Sequence, residues 1–368
     1  LMSTTAMAQQ SGGQNRVGDT SQNQNRAVGG ERVHQQGLDS AIFVRDDKMQ
    51  RYKLGDFVVN PSISVSEYYD DNIFYTREAP KQDFITVIAP GASLKSDWDK
   101  HELNFHGGAA ISRYRDNEQE DYEDYYIGFD GHIDLAPQSR IFGGSQYNIL
   151  HERRDSPDDV NGLEPTEYSM VDLFVGGQHQ FKDYGVKVGL TVQDFDFEDV
   201  ASSTGMINND DRDRTEYEIG ARIVRPWREK IRVFAQAVLG KREYDDGADD
   251  FGFNRDSDGY GLALGTLINP SRNLNIELLA GGLRQSYDDP NLSDISAVDL
   301  GAIVGWRASP YTNMNFTLDR RVRETTLAES SGYLSTRAEV SFHHDMTQEL
   351  SFDAGASLTQ DRYCLLYT

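Results

Sequence analysis

The chain has 368 residues, a formal net charge of -24 and a pI near 4.6, so it lacks the basic face that a general nucleic-acid binder needs. Mean hydropathy is -0.63 and no apolar run reaches the length of a membrane-spanning helix. That exclusion does not reach strands, because a spanning strand needs only about ten residues and half of them can be polar.

The first residues, Leu1 to Ala8, end in Ala6-Met7-Ala8, a small-x-small cleavage pattern that reads as a signal-peptide remnant with Gln9 as the first mature residue. Residues 9–55 read as a disordered periplasmic leader. As far as about Ser40 that stretch is rich in Gln, Gly, Asn, Ser and Arg, too few of them apolar to offset the entropy of ordering.

From Asp56 onward the period is two. Leu103, Phe105, Ala109 and Ile111 alternate with Glu102, Asn104, His106 and Ser112. Ile231, Val233, Ala235, Ala237 and Leu239 alternate with Arg232, Gln236 and Gly240, and Leu274, Ile276, Leu278 and Ala280 with Asn273, Asn275, Glu277 and Gly281. Such segments outrun the strand of about five or six residues usual in soluble sheets. One face is apolar and the other carries charge, which makes a lipid side and a water side. The predicted fold for residues 56–368 is all-β: a transmembrane antiparallel up-and-down barrel of a Gram-negative-type outer membrane. About fifteen strands are visible of an expected 16–18, since single-chain barrels have even counts and the last segment, Glu349–Tyr363, heads outward. The barrel is therefore expected to be C-terminally truncated.

The connections carry the second argument. Short turns are expected at Asp97–Lys100, Ala136–Ser139, Lys182–Tyr184, Arg225–Glu229, Asn269–Arg272, Ala308–Tyr311 and Asp345–Thr347. Longer loops fall between them, the largest at Arg153–Pro165, Glu198–Asp213 and Asp245–Arg255. Short and long alternate, as periplasmic turns and external loops do. Pro137, Pro226, Pro270 and Pro310 sit in the short turns, whereas Pro90 falls inside a strand, where a bulge or kink is expected.

Catalytic signatures are absent: there is no Gly-x-Ser-x-Gly elbow and no phosphate-cradling loop, and His151-Glu152 lacks the second histidine of a zinc motif. No cofactor is implied, and the single cysteine, Cys364, excludes a disulfide framework. The paired aspartates of the long loops read as solvated charge. Asn254–Gly259 imitates half a calcium loop, but Gly265 stands where the bidentate Glu would be needed. Parity places Glu102, His106, Asp130, Lys187, Glu218, Arg222, Arg232, Glu277, Asp319, Arg321, Arg337 and Glu339 on the lumen side. A wide barrel with this mixed lining is expected to hold water, the same charges can equally form salt-bridge ladders that stiffen the wall, and replacement of Glu277 or Gln236 by Arg is expected to be mild.

Pro61–Phe74, with its Tyr68-Tyr69-Asp70-Asp71-Asn72 element, Asp83–Gly91 with its Ala89-Pro90 element, and Arg113-Tyr114 resemble the start of the type-2 β-barrel porin family. That family includes outer-membrane proteins encoded with exopolysaccharide biosynthesis genes. The resemblance implies a non-enzymatic barrel that passes or helps export a surface polysaccharide, and it supplies no catalytic residues. Expected partners are outer-membrane lipid and lipopolysaccharide, the polysaccharide, and periplasmic export machinery, with no nucleic acid. Two rivals stay open: a structural or adhesive barrel with a plugged lumen, and a barrel hydrolase acting on envelope lipids.

Overall fold

The structure, a computed structural model, describes residues 52–365 except 157, 329, 348 and 349. The expected signal-peptide remnant and nearly all of the expected leader lie outside the described residues. The described residues open with a three-residue β1 (Tyr52–Leu54) that turns back on β2 (Phe57–Asp70) through Gly55, whose φ of 61° suits glycine. Six long strands follow: β3 (Asp83–Ser96), β4 (Glu102–Tyr114), β5 (Tyr122–Ala136), β6 (Ser139–His151), β7 (Glu167–Gln180) and β8 (Gly185–Phe197). A small hairpin, β9 (Val200–Ser202) and β10 (Gly205–Ile207), occupies the next loop. The wall then resumes with β11 (Arg214–Arg228), β12 (Ile231–Tyr244), β13 (Ser257–Ser271) and β14 (Leu274–Tyr287). It ends with β15 (Ile295–Ser309), β16 (Thr312–Arg323), β17 (Ser330–Asp345) and β18 (Ser351–Leu365).

All but the small hairpin form one antiparallel sheet in which sequence neighbours pair in order. The fifteen long strands match the count anticipated from periodicity. Among the described residues no pairing joins β18 to β1 or β2, so the sheet has an edge on either side of that seam. Short and long connections alternate as expected, but two turns are tighter. Strand β11 runs to Arg228 and β13 to Ser271, so Pro226 and Pro270 sit at strand ends, where the register shifts, rather than in the turns themselves. Pro90 pairs normally with Ile63 on β2, but the β3–β4 register skips from Ile88 to Gly91 beside it, because proline has no N–H to donate.

The outward face is apolar and exposed, with Leu262, Leu264, Leu278, Val298 and Leu358 along it. All three tryptophans, Trp98, Trp227 and Trp306, lie exposed near the short-turn end, and Tyr69, Tyr125, Tyr217 and Tyr260 ring the long-loop end. This is the pair of aromatic girdles of a membrane barrel.

Candidate functional site in the barrel interior

The inner face divides into a filled middle and an open vestibule. In the middle, Arg222 on β11 reaches across two strands to Glu277 on β14, Nη2 to Oε1 at 2.9 Å. Its Nε and Nη2 also donate to Gln236 Oε1 at 3.0 and 2.7 Å, and its guanidinium lies 4.0 Å from the Phe234 ring centre. Phe234 fits because Gly265 faces it: a Cβ there would stand 2.2 Å from the ring. Phe234, Ala263, Leu267 and Leu279 pack into a buried cluster below the pair. On the other flank Asn104 donates to both Glu102 and Asp130 at 2.9 Å, His106 meets Gln146 at 3.1 Å, and Lys187 lies 4.6 Å over Phe142.

Of the twelve residues placed in the lumen by parity, Glu218, Asp319, Arg321, Arg337 and Glu339 border the vestibule. Arg321 pairs with Asp319 at 3.0 Å and Arg337 with Glu339 at 2.8 Å. Glu102 lies partly buried and Arg232 exposed, both away from that cavity. His106, Asp130, Lys187, Arg222 and Glu277 are at most 8% exposed. There the inner face follows the salt-bridge alternative and not a water-filled lining: long side chains such as Arg222 and Glu277 meet across the wall and are buried.

The vestibule, a cavity of about 1590 Å³, opens toward the long-loop end. Its roof is the outer part of the β16–β17 hairpin. Pairing of β15 with β16 stops at Ala302↔Leu318, while β16 and β17 stay paired to Arg323↔Tyr333. The hairpin parts from β15 there, with β17 still paired to β18 as far as Tyr333↔Tyr363, and lies against β12 and β14. Arg242 Nη2 donates to the Val322 carbonyl at 3.3 Å and Arg242 Nη1 pairs with Glu324. The hydroxyls of Tyr244 and Tyr287 donate to Glu324 at 3.2 and 3.4 Å, and Val322 packs on Tyr287, Leu292 and Ile295.

Arg255, 1% exposed, is the second pin. Its Nε donates to Asp249 at 2.5 Å, Nη1 to the carbonyls of Thr325 and Ser330 (3.0 Å to Ser330), and Nη2 to Leu327 O at 3.2 Å. The hairpin tip then touches the opposite side, where Thr325 Oγ1 donates to Asp158 in the β6–β7 loop. That loop is braced by Arg154 on Glu120 (2.8 Å) and by Arg212 on Glu152 (2.7 and 2.9 Å). Burial pushes the Asp158 carboxyl above its ordinary range. Asp213 is pushed up to about 6, chiefly by burial and then by Asp196, Asp210 and Asp245, against a Phe197 N–H that favours its charge.

These loop residues correct the reading of the acidic loops as solvated charge. Asp158 and Asp249 are tied inward, and the arginines scattered among the aspartates were the signal: each such cation sits beside a carboxylate it can neutralise. The imitation calcium loop forms no site, since Arg255 occupies its middle and Asp256 accepts the Tyr244 N–H at 2.8 Å. His343 and His344, adjacent on β17, point to opposite faces and meet different partners, Asp353 (2.6 Å) and Thr312 (2.8 Å).

The strands pair in sequence order and carry an aromatic girdle at either end, the architecture of an outer-membrane barrel. Residues 50–365 match the family described as "Putative beta-barrel porin 2". The chain belongs to that family. It is an outer-membrane β-barrel of the porin type, as the sequence resemblance implied. No curated protein matches its sequence. Among solved structures, this porin is similar to the FrpB iron transporter from Neisseria meningitidis, with 11% identity and a TM-score of 0.47, over 85% of this chain and 58% of that one. It is also similar to OccAB3 from Acinetobacter baumannii, with 9% identity and a TM-score of 0.39, over 83% of this chain and 94% of that one. The siderophore receptor PirA from Pseudomonas aeruginosa aligns at 7% identity and a TM-score of 0.42, over 83% of this chain. The porin spans 56% of the length of PirA.

Proposed function

We propose that this porin is a non-enzymatic channel for export of an exopolysaccharide or capsule-like polymer, with the vestibule as its outer passage. The observation that carries the reading is the vestibule lining. Tyr68, Tyr114, Tyr122 and Tyr168, from β2, β4, β5 and β7, alternate there with side chains of both charges. Aromatic faces stack on the apolar faces of sugar rings, and carboxylates and guanidinium groups take their hydroxyls. Mixed charge favours no single ion. The polymer and periplasmic export machinery are the partners this reading requires. Single-channel recording in planar bilayers tests it: polysaccharide from the source cell should interrupt the ionic current, and an uninterrupted current would refute the reading.

A second reading, a structural barrel with a plugged lumen, is favoured by the buried Arg222–Glu277 layer. The same recording separates the two, because a plugged barrel carries no current. For a hydrolase, Asp124 and His151 make a pair at 2.8 Å on the vestibule wall, but among the described residues no hydroxyl bonds the other imidazole nitrogen.

A further inference from the structure

Strand register lines up rows of inward positions at the floor of the vestibule, just above the Arg222 layer. Thr191, Glu218, Gly240, Gly259 and Gln285 pair in turn across β8, β11, β12, β13 and β14. One step toward the short-turn end Val238 pairs with Gly261, and one step further Gln236 stands opposite Arg222 and Ala263. Residues directly opposite across antiparallel strands share one face of the sheet. Gly240, Gly259 and Gly261 all line the vestibule, so they present bare backbone to it. The first two leave a hollow two strands wide, about 10 Å. Beyond its chain neighbours, a Cβ at Gly240 would meet nothing nearer than 3.6 Å, and one at Gly261 nothing nearer than 3.8 Å. Neither residue has a positive φ. Packing and backbone therefore do not demand glycine at these two positions, and such a strand glycine marks a place where a ligand approaches closely.

Three neutral polar side chains rim the hollow. Thr191 lines the vestibule and is 2% exposed, and among the described residues its Oγ1 has no hydrogen-bond partner. A hydroxyl taken out of water without a partner costs stability, which a ligand that meets it restores. Gln236 spends its Oε1 on Arg222 Nε and Nη2, so its amide is fixed with the N–H groups left to donate. Gln285 is fixed the other way round. Its Nε2 donates to Ser257 Oγ at 2.9 Å, and its Oε1 lies over Gly259, where a Cβ would stand 2.5 Å from it. The hollow thus combines a hydroxyl, a donor and an acceptor. Across β8 to β15, the ionisable side chains of these rows that line the vestibule are Glu218 and Asp299, both carboxylates.

We infer that this hollow is a subsite for one uncharged sugar ring of the passing polymer. The ring lies against the glycine backbone, and its hydroxyls, which donate and accept, meet the Thr191 hydroxyl, the Gln236 amide and the Gln285 carbonyl. Glu218 and Asp299 repel a ring that carries a carboxylate, so a uronate is turned away. The inference rests on the export reading and adds to it the class of sugar that the vestibule prefers.

The test uses the assembled barrel in a detergent without a sugar head group, with calorimetric titration of maltotetraose, cellotetraose and mannotetraose beside tetragalacturonate. At least one neutral tetrasaccharide should bind, and tetragalacturonate should bind more weakly by about tenfold or more. Thr191→Val keeps the shape and removes the hydroxyl, which should weaken the neutral sugar about fivefold. Gly261→Leu fills the hollow and should abolish that binding; should it fail to assemble, Thr191→Val carries the test. Tetragalacturonate bound as tightly as the best neutral sugar, no neutral sugar bound at all, or parent-like binding by either variant overturns the subsite. Interruption of the ionic current by the source polymer is scored separately. Equal interruption in the parent and in Gly261→Leu sinks the subsite and leaves export standing. Neutral-sugar binding that Gly261→Leu abolishes, beside a polymer that never interrupts the current, sinks export and leaves the subsite.

Discussion

Arg255 is the side chain whose removal should most change how the porin conducts. Its guanidinium holds Asp249 and the carbonyls of Thr325, Leu327 and Ser330, so it ties the inward hairpin to the β12–β13 loop. Arg255→Ala leaves three carbonyls and a buried carboxylate without this donor. Losing one partner of a buried ion pair costs about 3–5 kcal/mol. The lower end applies here, because Asp249 keeps the N–H groups of Phe251 and Phe253, both at 2.9 Å. A loss of about 3 kcal/mol raises the population of conformers with the hairpin tip released from the β12–β13 loop about a hundredfold. The Arg242–Glu324 tie remains in the variant, so the hairpin should hinge and the barrel should stay assembled. Single-channel recording should then show a larger-conductance state, rare in the parent and frequent in Arg255→Ala. Arg255→Lys should fall between, since an ammonium cannot match the planar fork that reaches four acceptors. An assembled Arg255→Ala barrel with the parent's conductance and dwell times would refute the reasoning.

Three further outcomes are expected. Cysteines introduced in the loops 152–166 and 198–213 should react with an impermeant reagent on whole cells while one at Glu229 is spared, and the reverse pattern would invert the orientation. Leu278→Arg puts a charge toward lipid at a cost of about 2–4 kcal/mol. Glu277→Arg should be at least as harmful, about 3–5 kcal/mol, because it sets a second guanidinium against the buried Arg222, which reverses the mild effect expected from parity. Thermal unfolding in detergent decides between the two expectations for Glu277. Finally, with Asp213 at about 6 in the fold, the folded loop holds more protons than the unfolded chain between about pH 4 and 6. The loop should therefore be tightest at low pH and loosen as pH rises through about 6. Amide exchange across residues 198–213 should show that slope, and Asp213→Asn should flatten it.

The sequence by itself determined the wall. Alternation such as Leu274, Ile276 and Leu278 against Asn275 and Glu277 assigns each residue to lipid or interior, because successive strand side chains must point to opposite faces. Alternating turn lengths likewise assign each strand end to one side of the membrane, and the Pro90 interruption follows from the missing N–H. Only the tertiary structure decided what the interior does with those residues. Parity says that Arg222 and Glu277 point inward; it does not say that they meet across β12 and β13, with Phe234 beneath them and water shut out. Nor does local pattern show that Arg255 binds a strand end 75 residues away or that Thr325 reaches Asp158 across 167 residues. Such contacts depend on which chain segments the curled sheet brings face to face. Each arginine found its carboxylate or carbonyl because a buried charge must have a partner, and sequence distance places no limit on where that partner lies.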